Sequence, residues 1–577
     1  MPGPYTSCRE SRHMITHFLA LLATLQAAPV QGADSIVTSK HGMVVSASDL
    51  ASDVGASILR KGGNAVDAAV ATALAMAVTY PGAGNIGGGG FMVIVPRTGE
   101  PVAIDYRERA PLASTPGMYL KPDGSTDYDL TNFGWLAPGV PGTLRGLELA
   151  HRRFGKLKWA ALVEPAIDLA RGFRVSANFA RDLNGMLAGP LAKFPSTVAA
   201  YGKPGGGEWA EGDTIHLTDL ARTLDAIASG GPDAFYKGWI ADSIAVAMKA
   251  NGGIITKQDL AEYQARARTP VRGRYRGHEI ISMPPPSSGG MVIVEALNIL
   301  EPFDLKSRGR YSPTTTHLII EAMRRAFLDR ARYTADPDFV DVPVKRLTST
   351  AYADELRTGI DTLHASSSVA LGRDIVTDTV STESPETTHF SVVDGDGLAV
   401  SNTYTLEQWY GSSVVVPGTG VLLNNEMGDF NKRPGYTSVK GDIGTKPNLI
   451  EPGKRMLSSM TPTIVRKDGK VVLVTGSPGG RTIPNTVLNV VINFVEFGMP
   501  VREAVSSPRI HMQWLPDEVL TERKATDPEI EALRAMGHKI RTNIGLGDGH
   551  SISIDPATGT ITGARDMRSR DSKASAP

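Results

Sequence analysis

The chain has 577 residues, of which 60 are Lys or Arg and 60 are Asp or Glu. At roughly 150 residues per domain this length suggests about four domains, and a balanced charge without a basic block offers no electrostatic reason to bind nucleic acid. The single cysteine, Cys8, excludes an internal disulfide, a cysteine-ligated zinc or iron–sulfur site, and a cysteine nucleophile from anything that follows it.

The first segment carries Arg9 and Arg12, then the apolar run Phe18–Leu25, then Val30-Gln-Gly32. That is the layout of a secretory signal peptide over residues 1–32, with a mature start near Ala33, and the apolar run is too short to span a membrane. A periplasmic or secreted location is therefore expected. Residues 36–46 read as strand, and 49–60 and 64–78 as helices. The second helix is alanine-rich and apolar on nearly every face, so it should be buried. A glycine stretch, Gly84–Gly90, leads into an apolar strand at 91–95. Helices are expected at 159–171, 217–229 and 314–332. Strand-like runs follow at 387–393, 398–406, 413–416, 463–465, 471–475 and 551–555, with helices at 485–497 and 528–536. Asp394-Gly-Asp-Gly397 reads as a two-residue hairpin turn that pairs residue 394 with 397, sets Thr387 opposite Tyr404 and leaves Thr405 one position away. Antiparallel strands flanked by helices argue for an α+β layered core rather than a nucleotide-binding βαβ fold.

The common catalytic signatures are missing: no HExxH, no G-x-S-x-G and no G-x-x-x-x-G-K-[ST]. Gly87–Gly90 precedes a strand and is followed by no Lys-Ser/Thr, so it reads as close backbone packing. His317 and Glu321 share a helix face, but no third ligand is identifiable, and a hydrogen-bonded pair is the reading that remains. No metal or cofactor is expected.

The informative segments are Glu386-Thr-Thr-His-Phe-Ser-Val-Val393 with Thr403-Tyr-Thr405, Leu422-Leu-Asn-Asn-Glu-Met-Gly-Asp-Phe430, Lys454-Arg-Met-Leu-Ser-Ser-Met-Thr-Pro462 and Thr475-Gly-Ser-Pro-Gly-Gly-Arg481. Together with Asp105-Tyr-Arg-Glu-Arg-Ala-Pro111, Gly84–Phe91 and Pro284-Pro-Pro-Ser-Ser-Gly-Gly290, in this order from about residue 36 to 565, they resemble the γ-glutamyltransferase (γ-glutamyl transpeptidase) family. The resemblance implies an N-terminal-nucleophile hydrolase fold, a four-layer αββα sandwich. It also implies a proenzyme that cuts itself between Glu386 and Thr387, giving fragments 33–386 and 387–577 that stay associated as a heterodimer.

In that resemblance Thr387 is the nucleophile, Thr405 orients it, and Gly479 and Gly480 form the oxyanion hole. Arg107 clamps the donor's α-carboxylate with Ser458 and Ser459 in support, while Glu426 and Asp429 accept from its α-ammonium. The physics of the cut stands apart from the family. A threonine hydroxyl needs a base, and a freshly released α-amine, with an ordinary pKa of about 7.7–8.0, supplies one on the same residue.

Two positions leave the family's pattern. Glu407 stands where Asn is usual and assists with the ammonium, and Gly428 stands where Asp is common. The stretch 431–453 is long enough for a lid over the site, with Tyr436 near but not at the usual aromatic gate position. The function implied is attack on γ-glutamyl amides such as glutathione, with the acyl group passed to water, amino acids or peptides. The alternatives are a glutaryl- or cephalosporin-type acylase of the same fold, and a non-catalytic periplasmic binding protein.

Overall fold

The structure is a computed structural model that describes residues 36–377 and 387–577. The proposed signal segment and Glu386 lie outside the described residues. Residues 36–577 form one compact unit, so the domain number suggested by length is corrected from four to one. Two seven-stranded sheets explain why, because strands from both ends of the chain meet in each.

One sheet runs in the order Lys573–Ser575, Gly42–Ser46, Thr388–Asp394, Ala399–Thr405, Gly89–Val95, Val102–Asp105, Arg266–Arg268. The other runs Val37–Ser39, Ile561–Ala564, Ser551–Ile554, Lys470–Thr475, Thr463–Lys467, His278–Ser282, Val271–Tyr275. The neighbouring pairs are antiparallel. The single strand expected at 36–46 is in fact two, Val37–Ser39 and Gly42–Ser46, each in a different sheet. The break falls at Lys40 and His41, just before Gly42, whose φ is +137°.

Alternation along the strands builds the layers. Val44, Met92, Ile94, Phe390 and Val392 pack against the helices Asp49–Arg60, Ala65–Thr79 and Trp159–Arg171. Met43, Val45, Phe91, Val93 and Val393 face the second sheet, whose core extends to the helices Gly289–Leu300, Pro313–Tyr333 and Ile483–Val495. This is the expected αββα sandwich. The helix Ala65–Thr79 is buried at every residue. It starts where Asn64 accepts from Val66 and Asp67 N–H, and Asp67 in turn accepts from Asn64 N–H at 3.0 Å.

The hairpin carrying Thr388, Thr403 and Thr405 closes differently from expectation. Asp394 N–H donates to Leu398 O and Gly397 N–H to Asp394 O, with Gly397 at φ +90°. The loop is therefore three residues long with glycine in the left-handed position. Its Asp394 carboxylate accepts from Asp396 and Leu398 N–H and from Ala65 N–H at the start of the buried helix. The pairs run from Val393–Ala399 to Thr388–Tyr404, one residue off the expected register. The run 413–416 forms no strand, only a bridge from Val415 to Leu422. Positive φ at Ser413, Gly418 and Gly420 breaks the extended path there.

Candidate active site

Thr387 precedes the first residue of its strand, and continuing the observed pairing past Thr388–Tyr404 sets it opposite Thr405. The one-residue correction matters, because a slip of one turns every side chain to the other face. In the observed register Thr387 and Thr405 fall on the face that carries His389, Thr403, Ser391 and Ser401, between the sheets. Tyr404 takes the opposite face and donates its hydroxyl to Ala73 O in the helix layer. Behind the two threonines His389 lies 2.8 Å from Thr403 Oγ1. Its burial, with His550 nearby, pushes its pKa well below the usual histidine value. Thr405 Oγ1 accepts from Glu407 N–H at 2.8 Å, which ties the end of the strand to the turn that follows.

Thr387 and Thr405 open onto a cavity of about 910 Å³ also lined by Arg107, Glu407, Glu426, Asp429, Ser458, Ser459 and Gly480. Of the site residues expected from sequence, the cavity gathers all but Gly479, which adjoins Gly480, and Glu386, which lies outside the described residues. Gly479 and Gly480 have φ of +128° and +54°, conformations that only glycine adopts easily. Gly479 O accepts from Thr482 N–H and Oγ1–H, which folds the turn that brings Gly480 to the cavity.

Gly87–Gly90 packs as expected. A side chain on Gly88 would strike Thr405 O and one on Gly90 would strike Tyr404. The glycines let the strand Gly89–Val95 lie directly against the threonine strand.

Arg107 is buried. Its guanidinium contacts Glu426 at 2.6 Å and Asp429, and its Nε–H and Nη2–H donate to Met456 O and Leu457 O. The residue expected to hold a carboxylate and the acids expected to hold an ammonium are thus ion-paired with one another.

Burial opposes charge on Arg107, but Glu426, Asp429 and Glu108 outweigh it and keep the guanidinium protonated. Burial raises Glu426 well above the usual carboxylate value; Arg107 offsets part of this, while Glu108, Asp429 and Glu407 add repulsion.

Sequence reasoning missed Glu108. It is fully buried, 3.5 Å from Arg107, and burial pushes its carboxyl up to about 8 despite Arg107. Its signal was its place inside the Asp105–Pro111 motif, beside Arg107. Asn448 was also missed: it donates to Asp429 O and accepts from Leu457 N–H. Arg330 donates to Ser459 Oγ at 2.9 Å and to Ser288 Oγ at 3.0 Å, and Ser288 Oγ–H donates in turn to Ser458 O. Ser458 Oγ accepts from Met460 N–H.

The two departures from the family pattern meet in space. Glu407 lines the cavity at φ +79°, and a Cβ added to Gly428 would stand 3.9 Å from Glu407 Cδ. A carboxylate from position 407 thus occupies the neighbourhood that a side chain at 428 would otherwise fill. Residues 432, 433, 436, 440, 442 and 443, from the stretch expected to form a lid, also line the cavity.

Elsewhere, the third partner of His317 and Glu321 that sequence could not identify is His538. One ligand atom from each of the three lies within 4.8 Å of the others. His317 Nδ1 and His538 Nε2 are hydrogen-bonded at 2.8 Å, and His317 Nε2–H donates to Asp361 O. Despite burial, Arg324, Ser366 and Arg325 hold Glu321 at about 2. The expected His317–Glu321 hydrogen-bonded pair is corrected: His317 bonds His538 across the fold, while Glu321 accepts from Arg324, Arg325 and Ser366 N–H. Among the described residues no helix is long and apolar enough to cross a membrane.

A family model described as Gamma-glutamyltranspeptidase matches residues 51–576. A glutathione hydrolase proenzyme of Escherichia coli (strain K12) is 46% identical over 538 residues, covering 93% of this chain and 92% of that protein. An Acylase ACY 1 proenzyme of Pseudomonas sp. (strain SE83) is 40% identical over 536 residues, covering 91% of this chain and 92% of that protein. The crystal structure of a cephalosporin acylase from Bacillus halodurans superposes with a TM-score of 0.82 at 28% identity, covering 96% of this chain and 98% of that one.

Proposed function

The chain belongs to the gamma-glutamyltranspeptidase family and is an enzyme of γ-glutamyl transfer and hydrolysis made as a proenzyme; we propose that it cuts itself between Glu386 and Thr387 and then works through Thr387. The cut leaves fragments 33–386 and 387–577 as a heterodimer, and the signal segment directs it to the periplasm or medium. Arg107 takes the donor's α-carboxylate with Ser458 and Ser459, and Glu426, Asp429 and Glu407 take its ammonium. Thr387 Oγ bonds to the γ-carbonyl carbon while Gly479 and Gly480 N–H donate to the oxyanion. The hydroxyl proton passes to the Thr387 α-amine and on to the leaving nitrogen as the amide C–N bond breaks. Water or an acceptor amine then attacks the γ-glutamyl ester and frees Thr387.

The observation that carries this reading is the placement of Thr387 and Thr405 on one cavity with the buried Arg107–Glu426–Asp429 set. That set also argues against an acylase, because a glutaryl group brings no ammonium to meet the two acids. A binding protein has no use for a threonine pair aligned at a proposed cut. The test is release of 4-nitroaniline from γ-glutamyl-4-nitroanilide by the processed protein, with glutathione as competitor and with and without a dipeptide. Saturable release, competed by glutathione and accelerated by the dipeptide, is expected; processed protein that releases glutaryl but not γ-glutamyl groups would overturn it.

Glu407 has its own consequence. Burial raises Glu426 above the ordinary carboxylate range, so binding an ammonium there favours loss of its proton and donor affinity rises with pH. Glu407→Asn removes one repelling carboxylate, which lowers Glu426 toward its usual value. Donor affinity in Glu407→Asn should be weaker at the alkaline end and flatter across about pH 5–8. Inhibition constants for a donor analogue measured across that range check it, and superimposable profiles would count against a role for Glu407.

A further inference from the structure

A second cavity, of about 250 Å³, shares no lining residue with the first. The turn after Thr405 divides them: Glu407 and Gln408 line the Thr387 cavity, whereas Trp409 and Tyr410 line the second. Its walls are aromatic, with Tyr80, Phe173 and Phe179 joining Trp409 and Tyr410. Tyr80 and Trp409 meet edge to face at 5.3 Å, and Phe173 and Phe179 at 5.4 Å, which fixes the ring planes. Trp409 is also pressed against Gly82, where a Cβ would overlap the indole.

The same cavity is acidic. Asp49, Asp182 and Asp571 line it against one cation, Arg174, whose Nε–H donates to Gly212 O. Asp182 pairs with Arg181 at 3.0 Å. Asp49 accepts from Leu50 N–H, and Asp571 accepts from Ser176 Oγ–H at 2.7 Å and Asn178 Nδ2–H at 2.8 Å. Among the described residues neither Asp49 nor Asp571 makes an ion pair, and neutral donors leave both charges uncompensated. Desolvation raises the Asp49 carboxyl above its ordinary value, and Asp571 and Asp53 add repulsion. Lys573 pairs with Asp53 at 2.8 Å.

We propose that this second cavity binds a small aryl ammonium ion, its ring among the aromatic walls and its cation at Asp49 and Asp571. Charge complementarity selects that occupant. An anion would meet two unpaired carboxylates, and a neutral ring would leave their mutual repulsion in place. A cation relieves the repulsion and is also attracted to the ring faces. The volume lies just below the range of drug-sized clefts, which limits the occupant to one ring with a short charged arm. Because the acids stand at a partly solvated wall, affinity should fall as salt rises.

The experiment is calorimetric titration of the full protein with benzyltrimethylammonium, which has no N–H and so cannot accept an acyl group at Thr387. Saturable binding is expected, with Kd about 1 mM or tighter for a ligand of about a dozen non-hydrogen atoms. Benzyl alcohol, a ring without the charge, and tetramethylammonium, a charge without the ring, should each bind at least about fivefold more weakly. Excess L-glutamate, which carries the amino-acid head group expected in the Thr387 cavity, should leave the Kd unchanged. Trp409→Leu and Asp49→Asn should each weaken binding about fivefold, while Trp409→Phe, which keeps a ring, should retain most of it. Thermal melting of each variant, unchanged from the parent, shows that the loss is local. Absence of saturable binding, equal affinity for all three probes, or full affinity in both Trp409→Leu and Asp49→Asn would overturn the site. Displacement of the probe by L-glutamate would place the cation in the Thr387 cavity and overturn it too.

Discussion

Thr387→Ala should give a single uncut chain with no measurable turnover. The parent should resolve on denaturing electrophoresis into fragments of about 38 and 20 kDa, scaled by length from 61.3 kDa, the smaller beginning Thr-Thr-His-Phe. In the proposed mechanism one hydroxyl serves twice: it attacks the preceding carbonyl to make the cut, and later attacks the γ-carbonyl. Before the cut its nitrogen is an amide without basicity; afterwards it is an amine that titrates near neutral pH. The loss of activity should be about 10⁴-fold or more, as for removal of other nucleophiles. Thr387→Ser keeps the hydroxyl and should retain both cleavage and part of the activity, which separates chemistry from misfolding. Efficient cleavage in Thr387→Ala would end the self-processing model.

Arg107→Lys should process normally yet bind donor poorly. The planar guanidinium reaches Glu426, Asp429 and two backbone carbonyls at once. An ammonium is a point charge on a flexible stem and cannot repeat that geometry or offer a two-donor face to a carboxylate. Keeping the positive charge avoids stranding the buried acids, so the variant isolates geometry from charge. A loss of about 2–3 kcal/mol in donor binding corresponds to about a 30- to 150-fold rise in KM. It is measured with a γ-glutamyl anilide alongside fragment analysis on the same preparation. An unchanged KM would mean that Arg107 is not the clamp.

The kinds of residue needed for this chemistry could be read from the chain because they sit in local motifs. Arg107, Glu426 with Asp429, Ser458 with Ser459 and Gly479 with Gly480 each lie within one short run. The buried helix Ala65–Thr79 was equally legible, since an alanine-rich segment with no polar face can only be covered, and Asn64 with Asp67 encodes its own start. What lay beyond the sequence was every relation set by long-range packing or by the shape of a turn. Asp394-Gly-Asp-Gly397 is compatible with two loop lengths, and only the whole hairpin, anchored by Asp394 on Ala65 N–H, chose the longer one and moved Thr405 onto the face of Thr387. Glu108 carries no signal of its own in the chain; its raised pKa exists because folding buries it beside Arg107 and under Gly89. His538 joins His317 across 221 residues, a separation at which no periodicity constrains contact. The chain thus determined by itself which groups were candidates for the chemistry, because local motifs carry residue type and spacing. The tertiary structure decided register, burial and charge pairing, because those depend on elements far apart in sequence closing on one another.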